Sequence, residues 1–249
     1  MEWNAQNYYE TCGRVTEHGI KLVDILKEKK CSRVLDLGCG TGVLTNEISG
    51  FTDEVIGIDS SPAMVKKAKE LFPHLEFIVM DACSLDWKDH FDAVFSNAVF
   101  HFIKSQDILL DNIYKVLKPK GLLICEFGAS GNIANLLNSV ALACNKRNKP
   151  FSLRFFYPKG EAYKRLLEER GFHVGSITTY DLDTQLREGK SGLRNWINQI
   201  FTVEMEMFDA FEREEVLKEI ESDLRSTQWD GTNWHLANRR LKVIARRGI

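Results

Sequence analysis

The chain has 249 residues, of which 44% are hydrophobic and 27% are charged, and its formal net charge at pH 7 is −2. This composition is typical of a folded globular protein and excludes the strongly basic field that attracts nucleic acid. No apolar run approaches the roughly 18 residues of a membrane span, and the first residues lack the pattern of a signal peptide. Six scattered cysteines without metal-ligand spacing argue against a metal site and a disulfide framework. We therefore expect a cytoplasmic protein with no nucleic-acid partner, no membrane partner and no metal.

Hydrophobic periodicity predicts alternating helices and strands along the first half of the chain. The expected strands are 33–37, 54–58, 75–80, 91–96 and 122–127. The expected helices are about 15–29, a short one from 43, 62–71 and 108–117, with a turn at 118–121. This alternation predicts βαβ crossovers and therefore a parallel sheet.

The pattern changes after residue 128. Helices are expected at 132–146 and 159–170, and two late strands at 172–179 and 240–245. A helical, mixed-charge region at about 190–226 lies between those strands. We interpret it as an insertion packed over the sheet rather than as a second domain.

The segment 34–42 is the most informative part of the sequence. A short apolar strand leads into three glycines at alternate positions, Gly38, Gly40 and Gly42, which allow another molecule to approach the backbone closely. In a doubly wound sheet, ligands bind beyond the carboxyl ends of the strands. The first four strands all end in polar residues, which predicts one binding site at that edge: Asp36, Asp59, Asp81 and Asn97.

The glycine spacing argues against a dinucleotide. Asp59 follows Gly40 by 19 residues, where a carboxylate accepts hydrogen bonds from ribose hydroxyls. The dinucleotide fingerprint G-x-G-x-x-G is broken, however, because Gly42 comes one residue early and Val43 occupies the third glycine position. A nucleoside without a diphosphate fits better than NAD(P).

With these motifs, the chain resembles the class I S-adenosylmethionine-dependent methyltransferases. Residues 34–42 are similar to their first motif, and the remaining matches are 58–64, 81–82, 91–98 and 117–121. The resemblance implies an α/β, Rossmann-like, seven-stranded and mostly parallel sheet with helices on both faces, an antiparallel last strand and a helical cap. Segments near Trp3, at 126–132 and at 244–247 resemble the group around trans-aconitate methyltransferase, with malonyl-carrier-protein methyltransferases as more distant relatives.

The same resemblance implies one methyltransferase domain over residues 1–249. Its parts would be an N-terminal lid and helix at 1–30, a cofactor-binding core at 31–128, and substrate cap elements at 129–157 and 181–235. The cofactor would be S-adenosylmethionine, with S-adenosylhomocysteine as the product and no metal.

The resemblance also implies which residues hold the methionyl part of the cofactor. The backbone of Gly38, Gly40 and Gly42 would pass beneath it. Asp36 would help to hold its amino group, and the Asn97 carbonyl would lie near the same amine.

The nucleoside part would contact a second set of residues. Asp59 would accept from the ribose hydroxyls, with Ser60 and Met64 beside the adenine. Asp81 would accept from the adenine amino group while the Ala82 amide donates to the ring.

The resemblance further implies that Tyr8 would cover the cofactor as a lid. Three other residues are candidates with open alternatives. His101 is either a general base or a histidine that only shapes the pocket, and Arg14 either binds an anionic substrate or flanks a helix. Trp234 either lines the substrate pocket or is a buried structural tryptophan.

The predicted function is methyl transfer from S-adenosylmethionine to a small-molecule acceptor, at a carboxylate or hydroxyl of a metabolite. One alternative is methylation of an acyl group linked to a carrier protein, which four basic residues could bind: Lys146, Arg147, Lys149 and Arg154. Another is a catalytically inactive nucleoside-binding module, although none of the cofactor motifs is missing.

Overall fold

A computed structural model describes residue 5 and residues 13–249, with side chains for residue 5 and residues 18–249. In chain order, the helices and strands are α1 (Gly13–Glu28), β1 (Arg33–Leu37), α2 (Val43–Ser49), β2 (Glu54–Asp59), α3 (Pro62–Leu71), β3 (Glu76–Val79), β4 (Phe91–Asn97), α4 (Gln106–Val116), β5 (Leu117–Gly128), α5 (Ala134–Lys146), α6 (Gly160–Glu169), β6 (Phe172–Gln185), α7 (Gly192–Ile200), α8 (Thr202–Glu206), α9 (Ala210–Gln228) and β7 (His235–Arg247). Short 3₁₀ helices lie at Phe100–Phe102 and Gly189–Ser191.

The strands form one seven-stranded sheet in the order β3-β2-β1-β4-β5-β7-β6. Neighbouring strands from β3 to β5 pair in parallel, and β7 pairs antiparallel with β5. The predicted Rossmann-like fold with an antiparallel last strand is therefore confirmed. The strand order reverses between β1 and β4, which is the place where ligands of such sheets bind.

The central strands are apolar on both sides because helices cover both faces of the sheet. On one face, Leu35 of β1 belongs to a core cluster with Leu109 of α4 and Leu167 of α6. On the other face, Val34 belongs to a cluster with Leu26 of α1 and Ile48 of α2. Adjacent strand residues thus enter different cores, which fixes the register of β1.

Two segments differ from the sequence-based expectation. The predicted turn at 118–121 lies within β5, although the ladder passes from the pair Phe91–Leu117 to the pair Ala93–Leu122 and leaves this segment irregular. Strand β6 continues to Gln185, past the predicted end at 179. Because β6 is the edge strand of the sheet, its mixed burial pattern hides it from an analysis of apolar periodicity.

The chain divides into two compact units. The first contains the described residues up to Ser130 together with Phe155–Tyr180 and Arg240–Ile249, and the second contains Gly131–Arg154 and Asp181–Arg239. The residues of the second unit nearly coincide with the predicted cap elements, 129–157 and 181–235. Their role in covering a substrate stays a prediction.

Within the second unit, polar side chains connect the end of β6, the start of β7 and the loop that precedes β7. The ring nitrogens of His235 lie 2.7 Å from Asp183 Oδ2 and 3.0 Å from Asp230 Oδ2. A capping box between Asp209 and Glu212 begins α9. No helix in the described part of the chain is long and apolar enough to cross a membrane.

Candidate active site

The glycine turn after β1 is shaped by both backbone conformation and packing. Gly38 and Gly42 have φ angles of +77° and +80°, which favour glycine. A Cβ at Gly38 would lie 2.2 Å from Val99 Cγ2, and one at Gly42 would lie 2.6 Å from the Phe77 ring. The N–H groups of Gly38 and Cys39 both donate to the Ile58 carbonyl, which joins the turn to the end of β2.

Asp59 holds the same turn through its side chain. Its Oδ2 accepts from the Gly40 N–H at 3.0 Å, and its Oδ1 accepts from the Ser61 N–H at 2.8 Å. Burial raises the pKa of Asp59, although both backbone hydrogen bonds act in the opposite direction. Each carboxylate oxygen retains a second lone pair that can accept from a ligand hydroxyl.

Asp36 is a buried carboxyl group at the end of β1. It is 2% exposed, and its Oδ2 accepts from Thr45 Oγ1 at 2.6 Å. Burial raises the pKa of Asp36 to about 7, with the Thr45 hydrogen bond lowering it and the charge of Asp59 raising it. This group therefore changes charge in the physiological range, and a cation bound beside it would favour its ionised form.

The start of α3 and the end of β3 bring the nucleoside candidates to the same sheet edge. Ser61 caps α3 by accepting from the Met64 N–H at 3.4 Å, so that exposed Ser60 and buried Met64 flank the cap. Asp81 Oδ1 accepts from the Cys83 N–H at 2.8 Å, beside buried Ala82. The Met80 N–H donates to the Asp59 carbonyl, which connects the two segments.

Strand β4 completes this edge with Asn97. Ser96 Oγ donates to the Leu37 carbonyl at 2.8 Å and connects the carboxyl ends of β4 and β1. Ala98 follows with a φ of +60°, and its N–H donates to the Glu126 carbonyl of β5. The structure therefore brings the predicted cofactor residues from Asp36 to Asn97 to one edge of the sheet.

His101 lies in the 3₁₀ turn that follows β4. It is 7% exposed, and its Nδ1 accepts from the Gly128 N–H at 3.3 Å, so the neutral ring carries its proton on Nε2. Burial, followed by the charge of Arg240, lowers the pKa of His101 to about 3. Because an effective general base titrates near the working pH, this environment favours the second predicted role, in which His101 shapes the pocket.

A polar cluster formed by Glu126, Tyr180 and Lys242 was not predicted from the sequence. Glu126 of β5 is 5% exposed and accepts from the Tyr180 hydroxyl at 2.6 Å. Burial and this hydrogen bond raise the pKa of Tyr180. Lys242 Nζ lies 5.8 Å from the centre of the Tyr180 ring. A glutamate inside the apolar run of β5 was the signal that could have identified this cluster.

The remaining candidates differ in what the structure describes. Trp234 is 1% exposed and donates from Nε1 to the Lys190 carbonyl at 3.1 Å, while the Arg225 guanidinium lies 5.3 Å from its ring centre. These contacts favour a structural tryptophan. Arg14 belongs to α1, but its side chain is outside the described part, and Tyr8 lies outside the described residues altogether.

Three of the four basic residues considered for a carrier protein are paired. Arg147 binds Glu219 at 2.8 Å, and Lys146 lies 3.4 Å from the same carboxylate. Arg154 binds the buried Glu204 at 2.7 Å. Much of the positive charge of this segment is therefore neutralised. No group of three or more potential metal ligands occurs among the residues that the structure describes.

Known proteins with similar sequences identify the family. The family described as a methyltransferase domain matches residues 35–125. An uncharacterized methyltransferase of Schizosaccharomyces pombe is 32% identical over 98% of this chain and 97% of its own length. The chain belongs to the S-adenosylmethionine-dependent methyltransferases. This confirms the family and the enzyme class expected from the glycine turn and its partner motifs.

Two further relatives of the methyltransferase have named substrates. Malonyl-[acyl-carrier protein] O-methyltransferase 1 of Ilyobacter polytropus is 34% identical over 50% of this chain and 48% of its own. Trans-aconitate 2-methyltransferase of Deinococcus radiodurans is 30% identical over 54% of this chain and 53% of its own.

Solved structures share the fold of the methyltransferase. The YcgJ protein of Bacillus subtilis has a TM-score of 0.66 at 17% identity, covering 92% of this chain and 99% of that one. Phosphoethanolamine N-methyltransferase 2 of Haemonchus contortus, in complex with S-adenosyl-L-methionine, has a TM-score of 0.53 at 22% identity, covering 88% and 49%.

Proposed function

We propose that this methyltransferase methylates a carboxylate of a small acidic metabolite. The cofactor assignment rests on the hydrogen bonds of the Asp59 carboxylate. They connect it to the glycine turn through the Gly40 N–H and to the start of α3 through the Ser61 N–H. The choice of a carboxylate as the methyl acceptor rests on the environment of His101, whose buried, neutral ring is a poor proton acceptor.

The polar groups at and near the glycine turn fit S-adenosylmethionine. Asp59 would accept from the ribose hydroxyls, and Asp81, whose Oδ1 is already used by Cys83, would accept from the adenine amino group through its second oxygen. Asp36 would face the methionyl ammonium, beside the Asn97 carbonyl. Ser60, Met64 and Ala82 would surround the adenine. When bound, the cofactor supplies a methyl group that is already activated on a sulfonium.

The state of His101 bears on the acceptor. Because the methyl group is already activated, holding the acceptor in line with it can supply much of the acceleration, about 7–11 kcal/mol for well-oriented reactions. A hydroxyl acceptor also needs a base, whereas a carboxylate is ionised at pH 7 and attacks without one. The environment of His101 therefore favours the carboxylate over the hydroxyl. The relatives named for trans-aconitate and malonyl-[acyl-carrier protein] support an acidic acceptor.

A carrier-linked acceptor is the second candidate, favoured by the malonyl-[acyl-carrier protein] relative. The ion pairs of Arg147 and Arg154 argue against the basic surface that this candidate needs. A free metabolite is therefore the preferred partner. We also propose a cytoplasmic location, which the five free cysteines of the described chain support because free thiols persist in reducing compartments.

A methyl-transfer screen tests this function. Purified protein is incubated with S-adenosylmethionine and with carboxylic acids, phenols and amines, and released S-adenosylhomocysteine is measured. We expect turnover with at least one carboxylic acid and its loss in Asp59→Ala, while Asp53→Ala, an exposed carboxylate outside the site, keeps it. Turnover with a phenol or amine alone would refute the carboxylate. Calorimetry that detects no binding of S-adenosylmethionine or S-adenosylhomocysteine would refute the cofactor assignment.

A further inference from the structure

Arg240 forms no salt bridge with the described residues of the first unit. Its Nε is buried without a hydrogen-bond partner, and its side chain makes no ion pair or hydrogen bond with any residue that the structure describes. A guanidinium stays charged at all physiological pH values. Arg240 as a whole is partly buried. Because an unpaired charge with part of its surface removed from water is costly, a position of this kind is suited to an anionic ligand.

Arg240 and His101 are connected through β5. Arg240 of β7 is the register partner of Gly128, and the Gly128 N–H donates to His101 Nδ1. The Arg240 charge lies close enough to lower the pKa of His101 and of Tyr180. The cation is therefore near the imidazole, at the carboxyl end of β5.

His101 contributes a fixed donor at this place. Because Nδ1 accepts from the backbone, Nε2 carries the proton, and Nε2 makes no hydrogen bond with the described residues. A neutral N–H donor within electrostatic range of a planar guanidinium fork is a chemical arrangement that suits a carboxylate.

A carboxylate on the same strand as Gly128, Glu126 of β5, is hydrogen-bonded to a group other than Arg240. Glu126 accepts from the Tyr180 hydroxyl, and Lys242, its register partner across β5 and β7, lies over the Tyr180 ring. Two cations and one carboxylate leave this cluster with a net positive charge. The hydrogen bond described for Glu126 goes to Tyr180 and not to Arg240, so the guanidinium remains available to a ligand.

We propose that Arg240 and the Nε2–H of His101 bind a non-reacting carboxylate of the acceptor. The acceptor would therefore carry at least two carboxylates, one bound here and one methylated. This inference rests on the proposed function and adds the residues that select a polycarboxylate over a monocarboxylate.

Carboxylate binding without turnover tests the proposal. Protein saturated with S-adenosylhomocysteine is titrated calorimetrically with trans-aconitate, citrate, malonate and succinate, and with malonamide and succinamide as uncharged analogues. We expect at least one polycarboxylate to bind and neither amide to bind. Arg240→Met should weaken that polycarboxylate at least tenfold, about the effect of losing one charge-assisted hydrogen bond. Arg239→Met, which removes the neighbouring exposed arginine, should leave it unchanged.

A second variant covers the case in which Arg240→Met does not fold. Arg240→Lys keeps the charge without the planar fork, so we expect weakened binding of the polycarboxylate, with S-adenosylhomocysteine affinity as in the wild type. The proposal is overturned if no polycarboxylate binds the wild type, or if the available Arg240 variant binds it as well as the wild type does. It is also overturned if that variant loses S-adenosylhomocysteine instead, which would assign the arginine to the cofactor. Failure of the wild type to bind S-adenosylhomocysteine would refute the proposed function itself.

Discussion

Binding of S-adenosylhomocysteine is predicted to release a proton from Asp36. The pKa of about 7 leaves this buried carboxyl half protonated at pH 7. If the methionyl ammonium returns the pKa of Asp36 to the usual value near 3.9, affinity should rise about fivefold from pH 6 to pH 7. The range stops at pH 7 because the ligand's own α-amino group titrates at about 8.

Calorimetry at pH 6 and pH 7, in buffers of different ionisation enthalpy, measures both the affinity change and the protons released. The matched ligand is 5′-methylthioadenosine, which keeps the nucleoside and lacks the amino acid. Its affinity should show much less of this pH dependence, since in the proposed site it would contact Asp59 but not Asp36. Asp36→Asn should remove the pH dependence for S-adenosylhomocysteine as well.

Two results would refute this reasoning. A wild-type affinity for S-adenosylhomocysteine that stays constant from pH 6 to pH 7 would show that Asp36 does not face the ammonium. An equal pH dependence for 5′-methylthioadenosine would assign the proton to Asp59 or another group. The stability of Asp36→Asn gives an independent check. The carboxyl ionises near pH 4 in the unfolded chain and near pH 7 in the folded one, so its presence destabilises the fold progressively across that interval. The gain in Tm of the asparagine variant should therefore be larger at pH 8 than at pH 4.

Three further outcomes are expected. Gly38→Ala should lower the free energy of unfolding in urea by clearly more than Gly231→Ala, because both have positive φ but only Gly38 would place its Cβ against Val99; equal losses would contradict the steric argument. His101→Ala should change kcat less than tenfold with a carboxylate acceptor, and a thousandfold loss with unchanged KM would restore the general-base role. Burial lowers the pKa of His235, but hydrogen bonds and charges from Asp230 and Asp183 raise it overall. The protonated His235 therefore stabilises the folded state fully below about pH 6.5, and this stabilisation is lost as pH rises through the raised pKa. The Tm of the wild type should therefore fall relative to that of His235→Gln over this interval, and parallel curves would exclude the linkage.

Local signals made much of the fold predictable. Helix α3 begins at Pro62 and ends at Leu71, as expected, because Ser61 and Pro62 specify its start independently of the rest of the chain. Strand β6 was placed too short because its exposed edge position does not follow an apolar pattern. The start of β5 was placed as a turn because pairing with β4 at Phe91, not local preference, determines it.

The two halves of the candidate site differ in the same way. The cofactor half depends on short connections, such as Asp59 to Gly40 and Ser61, whose residue types follow from a turn, a strand end and a helix cap. The interval between Gly40 and Asp59 was therefore enough to predict that these two residues lie together.

The acceptor half depends on groups that only the folded sheet brings together. His101 could be identified as a candidate, but its tautomer is set by the Gly128 N–H and its pKa by burial and Arg240. A histidine has a usual pKa near 6.5 and suits a general base; the same residue held neutral by a backbone donor is suited to donate instead. That change of role alters the acceptor it can serve, since a hydroxyl needs a proton removed whereas a carboxylate needs a donor to hold it. In the proposed site, the antiparallel pairing of β7 with β5 therefore selects the substrate class, because it places Arg240 opposite Gly128.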